Sequence, residues 1–255
     1  MLINYGEYRM MYEAEEKLWW YKILHEKVLD EIQIKFQENK QIKILDAGCG
    51  TGGLMSFLIK HGYQNIQGFD YSSDAVSFCK ERNLNVQQTD ITNFESVFEK
   101  ESFDVIVNDD VVYQFDNSTI TNIFHTFQTI LKSGGIIITN NNAFSIFYGT
   151  HDIAVGGKQR FTLSDFEKIF SNLQLKITHY TYWSVLISPL ILAVRLIQQI
   201  QLKLKLINLN NIKSDVTVPS DFVNTFFYRV VKLEEKLLKK GFFGSSLFLV
   251  LMKKL

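Results

Sequence analysis

The segment Ile44-Leu45-Asp46-Ala47-Gly48-Cys49-Gly50-Thr51-Gly52-Gly53 constrains this chain more than any other. Ile42 to Asp46 reads as a short buried strand, and Leu54 to Lys60 reads as a helix. The glycines between them let a strand turn sharply into a helix while a ligand lies close against the backbone. The same rhythm continues downstream. Ile66 to Phe69 is a strand ending at Asp70, Ser73 to Arg82 a helix, and Leu84 to Gln88 a strand ending near Asp90. Phe103 to Val107 is a strand ending at Asn108, Asp109 and Asp110, Ser118 to Leu131 a helix, and Ile136 to Thr139 a fifth strand. Alternating apolar strands and helices predict an α/β, doubly wound, mostly parallel sheet with helices on both faces. A helix over Glu13 to Phe36 precedes it.

The glycine turn has two readings. Gly48, Gly50 and Gly53 parse as a dinucleotide fingerprint, which would make the chain a nicotinamide-dependent oxidoreductase. Asp46 separates the readings, because a carboxylate at the loop entrance repels a pyrophosphate. It suits a ligand bearing a sulfonium and an ammonium, which describes S-adenosylmethionine; alternatively it ties down the turn. Asp70 ends the second strand at the distance where an acid accepts hydrogen bonds from ribose hydroxyls, or it caps the following helix. Asp90 ends the third strand, in reach of an adenine amino group, or lies in a surface turn. Ligands in open α/β sheets sit at the carboxyl ends of strands, so the three acids together point to one site. Ala47, Gly48, Gly50, Gly52, Tyr71, Ile91, Asn108 and Asp109 complete the expected cofactor contacts. Trp20 and Tyr21 either cap the pocket or pack as ordinary helix residues.

In combination, Asp46 to Gly52, Asp70, Asp90, the strand Phe103-Asp104-Val105-Ile106-Val107 and Leu131-Lys132-Ser133-Gly134-Gly135 resemble the successive motifs of class I methyltransferases. The resemblance covers roughly the first 140 residues. It implies a Rossmann-like seven-stranded sheet whose antiparallel last strand is inserted between the fifth and sixth. It also implies S-adenosyl-L-methionine as cofactor and S-adenosyl-L-homocysteine as product. Leu18-Trp19-Trp20-Tyr21-Lys22, His151-Asp152-Ile153-Ala154-Val155-Gly156 followed by Gly157-Lys158-Gln159-Arg160-Phe161, and Gly241-Phe242-Phe243-Gly244-Ser245-Ser246-Leu247 are similar to one bacterial branch, often linked to glycan or secondary-metabolite modification. Many relatives carry Glu-His after the fourth strand where this chain has Tyr113-Gln114, so neither a histidine base nor a metal site is expected there.

Past Asn140 the rhythm changes. Ala143 to Arg160 reads as a long loop. Thr162 and Asp165 form a capping-box start for a helix to about Asn172. Leu175 to Tyr182 is a strand, Ser220 to Lys240 a helix and Leu247 to Met252 a final strand. The expected organisation is one domain over residues 1–255: a helical cap (1–40), a cofactor-binding core (41–142), acceptor-side loop and helices (143–240) and a last strand (241–255). An alcohol acceptor needs a base. His151, with Asp152 beside it, is the candidate base, or both residues tie the loop to backbone. Tyr113 is a candidate catalytic and acceptor-binding residue, and Arg160 a candidate acceptor ligand. The expected reaction is O-methylation of a small-molecule, sugar, natural-product or carrier-linked acceptor. The alternatives are N-methylation of an amino sugar or peptide and a non-catalytic, cofactor-binding regulator.

Composition narrows the partners. The 27 basic and 27 acidic residues cancel, so no global field draws in nucleic acid. Cys49 and Cys79 form neither a disulfide framework nor a metal cluster, which fits a reducing cytoplasm, and Met1 to Tyr12 lacks a signal-peptide pattern. Trp183 to Val194 is too short to span a bilayer, which takes about 20 apolar residues. Ile187 to Ile207 suits a pocket cap, a dimer contact or an amphipathic helix on a membrane, with burial the preferred reading. A monomer or homodimer is expected.

Overall fold

The computed structural model describes residues 5–208, 212, 214–238 and 240–254. In chain order it has α1 (Tyr5–Ala14), α2 (Trp19–Phe36), β1 (Ile44–Ala47), α3 (Gly53–Lys60), β2 (Ile66–Asp70), α4 (Ser73–Glu81), β3 (Val86–Gln88) and β4 (Phe103–Asp109). There follow α5 (Asn117–Ile130), β5 (Leu131–Asn142), α6 (Thr150–Ala154), α7 (Leu163–Ile169), β6 (Leu175–Trp183), α8 (Ser188–Lys203), α9 (Asp221–Leu237) and β7 (Ser246–Lys253). The strands form one sheet in the order β3-β2-β1-β4-β5-β7-β6. β1 pairs in parallel with β2 and β4, and β4 with β5, whereas β7 runs antiparallel between β5 and β6. This is the expected doubly wound topology with its inserted last strand.

Side-chain alternation explains the two helical layers. In β4 and β5, Ile106 and Ile137 point into a core with Phe124 and Phe127 of α5, while Val105, Val107, Ile136 and Ile138 face a second core with Val28, Met55 and Leu58. A fully buried Leu, Ile or Phe contributes about 1.5–3 kcal/mol by leaving water, so both faces must be covered. Strand order then reverses at β1 and β4, which opens a crevice beyond their carboxyl ends.

Three elements depart from the sequence reading. The helix expected over Glu13 to Phe36 is broken: Leu18 is extended (φ −65°, ψ 130°), and Trp19 N–H donates to the Asn224 side chain at 2.8 Å instead of continuing the helical ladder. A contact to α9 thus overrides local helical periodicity. The fifth strand runs to Asn142 because β7 pairs with it as far as Asn142↔Ser246. The loop from Ala143 to Arg160 contains α6, opened by Asp152 Oδ2 accepting the Gly149 N–H at 2.8 Å. The capping box at Thr162 and Asp165 is present, with Thr162 N–H donating to Asp165 at 2.8 Å.

Candidate active site

The glycine turn folds as its spacing requires. Gly48 and Gly52 adopt φ of +84° and +81°, and a Cβ on Gly48 would stand 2.5 Å from a Val111 methyl. The turn is tied to β2 by Gly48 N–H and Cys49 N–H donating to Phe69 O at 2.8 and 3.0 Å. Gly50 N–H donates to Asp70 Oδ2 at 3.0 Å, and Ser72 N–H to Asp70 Oδ1 at 2.9 Å. A carboxylate has about four acceptor sites, so Asp70 keeps capacity for a ligand. Asp90 Oδ1 accepts from Thr92 N–H and hydroxyl, both at 2.8 Å.

Above this floor lies a cavity of about 760 Å³. Asp46, Gly48, Gly50, Asp70, Tyr71, Asp90, Ile91, Asp109, Trp20 and Tyr21 line it from the glycine turn, the strand ends beside it and α2, and Tyr113, His151 and Arg160 from the segment after β4 and the α6 region. Ala47, Gly52, Asn108 and Asp152 do not reach it. Asn108 instead braces the floor, its Nδ2 donating to Ala47 O at 2.7 Å.

The electrostatics beside the glycine turn are unusual for a protein interior. Asp46 is buried, and no hydrogen bond from a described residue reaches its carboxylate. Burial, with Glu15 and Asp70 nearby, pushes its pKa up to about 8. Asp109 is pushed well up by burial and by Asp110 and Asp46, and Asp110 to about 7 by burial. Asp109 Oδ2 and Asp110 Oδ1 are buried without a hydrogen-bond partner among the described residues. Asp110 holds φ at +53°, a conformation that costs a non-glycine residue about 1–3 kcal/mol. Asn140 holds both acids in place, its N–H donating to Asp109 Oδ1 and its Nδ2 to Asp110 Oδ2, each at 2.9 Å. Trp183 Nε1 in turn donates to Asn140 Oδ1 at 2.9 Å and stacks on Trp20 with ring centres 5.6 Å apart. Burial keeps the Tyr21 and Tyr113 hydroxyls protonated.

The cap contributes residues that the sequence reading passed over. Tyr8 and Met11 on α1, with Glu15 just beyond it, line the cavity. Glu15 is buried, accepts the Thr51 hydroxyl at 2.5 Å and pairs with Arg82 at 3.1 Å. Burial outweighs those partners and lifts its pKa to about 7. Tyr8, Met11, Tyr12 and Glu15 recur at helical spacing, which was the available signal.

The α6 side is arranged differently. Asp152 and Arg160 form a buried bidentate pair (2.8 and 3.1 Å), and Arg160 Nη1 also donates to Ala143 O at 3.1 Å. Asp152 thus serves Arg160 and the Gly149 backbone rather than His151, since neighbouring residues on a helix point apart. His151 Nδ1 accepts the Asp215 N–H at 3.2 Å, and burial lowers the His151 pKa. The neutral ring thus carries its proton on Nε2, which makes it a hydrogen-bond donor in this state. Arg195 pairs with Asp215 and donates to Gln198 at 2.8 Å.

The residues present fit S-adenosylmethionine. Open glycine backbone, Asp70 and Asp90 would hold a nucleoside, and the unpaired acids Asp46 and Asp109 would balance positive charge. Among the described residues no helix is long and apolar enough to cross a membrane.

Comparison with known proteins identifies a family and a shared fold. A family model described as a methyltransferase domain matches residues 38–183. Phosphoethanolamine N-methyltransferase 1 of Triticum aestivum is 28% identical over 124 residues, 46% of this chain and 24% of that protein. Protein arginine N-methyltransferase 2 of Dictyostelium discoideum is 30% identical over 104 residues, 37% of this chain and 20% of that protein. The chain thus matches about a quarter or less of the length of these curated relatives. Geranyl diphosphate C-methyltransferase from Streptomyces coelicolor has the same fold, with a TM-score of 0.59 at 14% identity over 91% of this chain and 77% of that one. A putative sarcosine dimethylglycine methyltransferase from Galdieria sulphuraria also gives 0.59, at 15% identity over 92% and 86%.

Proposed function

The chain belongs to the class I S-adenosylmethionine-dependent methyltransferases, and from that premise we propose that it methylates a hydroxyl oxygen of a small-molecule acceptor, of sugar or natural-product type. The observation that carries this reading is the single cavity joining the strand-end acids to Tyr113 and His151 past the unpartnered Asp110 Oδ1. Its volume of about 760 Å³ suits a small ligand, for which pockets run from about 300 to 1,000 Å³.

When bound, S-adenosylmethionine supplies a methyl carbon made electrophilic by its sulfonium. The protein's part is alignment, exclusion of water and removal of one proton. Asp70 and Asp90 would accept hydrogen bonds from the nucleoside, and Asp46 and Asp109 would balance its positive charge. Trp20 and Tyr21 close the cap over that end. Asp110 is the proposed base: its pKa near 7 lets it take a hydroxyl proton at Oδ1 and release it at neutral pH. The Tyr113 hydroxyl and His151 Nε2 orient the acceptor as donors. Asp152 and Arg160 position this end of the cavity without touching the acceptor.

A second reading, N-methylation, draws support from one feature. The ionisable lining is dominated by carboxylates, while Arg160 and Arg195 are already paired, which favours a cationic or neutral acceptor over an anionic one. Two curated relatives are N-methyltransferases by name, one of phosphoethanolamine and one of protein arginine, which also supports nitrogen as the acceptor atom. The test is S-adenosylhomocysteine release with parallel panels of polyols, phenols and amines. Turnover with hydroxyl acceptors, reduced at least ~100-fold in Asp110→Asn as expected for loss of a general base, supports O-methylation. Turnover with amines alone overturns it. Cofactor binding without turnover on either panel favours a regulator.

A further inference from the structure

α8 and α9 each have one face inside the molecule and one apolar face outside it. On α8, Ile191 and Arg195 line the cavity. Leu190, Val194, Ile197, Ile200 and Leu204, on and just past the helix, are 45–63% exposed. On α9, Val231 is buried and Tyr228 donates to Glu26 of α2 at 2.8 Å. Phe222, Phe226, Leu233 and Leu237, spaced along the opposite side, are all more than half exposed, Phe222 at 82%. Monomeric soluble proteins rarely leave contiguous apolar faces of this kind uncovered. The burial expected for Ile187 to Ile207 therefore holds on its cavity side only.

Charge indicates what covers the outer side. Residues 186–255 carry 11 basic and 4 acidic side chains, a net of +7, whereas residues 1–185 carry 16 and 23, a net of −7. A neutral chain is thus strongly polarised along its sequence. Exposed Arg229 and Lys236 lie among the α9 apolar residues, and exposed Lys203 and Lys205 lie at the end of α8. Of the four acids, Glu234 is buried and accepts the Leu186 N–H at 2.8 Å, Asp215 is paired with Arg195, and Glu235 is paired with Lys27 and Lys232, which leaves Asp221 as the exposed acid on this side against Arg229, Lys236, Lys203 and Lys205. An apolar stripe flanked by lysine and arginine is the pattern of a helix lying in a lipid interface, where anionic headgroups attract the cations. A second copy of this surface would oppose cation to cation.

We propose that the outer faces of α8 and α9 dock on an anionic lipid surface, with the cavity held directly behind α8. This docking does not depend on which atom is methylated. The experiment is flotation of the whole chain with phosphatidylcholine vesicles, with and without phosphatidylglycerol. The variants are Leu190→Glu/Ile197→Glu and Phe222→Glu/Phe226→Glu, with S-adenosylhomocysteine binding as the check that each still folds. The expected result is flotation with the anionic vesicles only, released by high salt, as screening of surface charge requires, and reduced at least severalfold in both variants. Failure of the unmodified chain to float with anionic vesicles overturns the proposal. So does a stable dimer, by sedimentation velocity, that the same variants dissociate, because a second copy then occupies the surface.

Discussion

The two ends of the cavity handle charge in opposite ways. At the glycine-turn end, Asp46 has no hydrogen-bond partner among the described residues, nor do Asp109 Oδ2 and Asp110 Oδ1, and all three pKa values are raised by burial. At the α6 end, Asp152 and Arg160 satisfy one another, and Arg195 is paired with Asp215 and Gln198, its Nε alone lacking a partner among the described residues. Unpaired buried acids destabilise the free protein and are tolerable only where a ligand completes them. Paired charges are structural fasteners. One end is therefore built around a ligand of fixed charge, and the other holds a loop, two helices and residue 215 in register, leaving selection of the acceptor to shape and a few donors.

Substitution should break or sharpen this contrast. The largest effect is expected from Asp152→Ala, which strands Arg160 without its counter-charge: about 3–5 kcal/mol of stability. A thermal melt reads it as a drop of roughly 6–20 °C, and an unchanged melt would mean the α6 end is not held by this pair. Asp46→Asn should act in the reverse sense. Calorimetry should show S-adenosylmethionine affinity reduced roughly 10- to 100-fold, from loss of about 1.5–3 kcal/mol of charge-assisted bonding, while the melting temperature of the free protein holds or rises. NAD, as control, should bind neither form. Asp70→Ala should lose affinity similarly, through the ribose contacts.

A smaller effect is expected from pH. An acid whose folded pKa is raised keeps its proton after the unfolded chain has lost it, so it weakens the free fold as pH rises. For Asp46 that window runs from its ordinary 3.8 to about 8. Cofactor binding to the ionised form should therefore strengthen between about pH 6 and 8. Near pH 7 it should release protons, seen as a buffer-dependent binding enthalpy. Proton uptake would contradict the acid-rich site. The smallest effect belongs to His151→Gln, which keeps a side-chain donor: kcat should fall by less than ~10-fold, well short of the loss expected when a base is removed.

Strand ends were the readable part of this site. Asp46 and Asp70 follow apolar runs and Asp90 lies just past a third strand, so sequence order assigns all three to one edge of the sheet. At Glu15 helical spacing with Tyr8 and Met11 was the one signal, because its partners Thr51 and Arg82 come from other elements. His151 and Asp152 show the limit of adjacency: neighbours in sequence, they serve different partners, Asp215 and Arg160. Asn140 and Asn141 were missed as strand because hydropathy ends at Thr139, whereas β7 keeps their backbone paired and buried.

The insertion of β7 between β5 and β6 also sets an order of events during synthesis. β6 is complete at Trp183, yet its partner begins only at Ser246. At 5–20 residues per second, making residues 184–245 takes about 3–12 s. Throughout that interval β5 presents an unpaired edge, which is the feature that recruits foreign strands. Pairing across so long a stretch of chain is intrinsically slow. The nascent chain is most exposed to aggregation, and to chaperone capture, in the seconds before its last strand slides into the middle of the sheet.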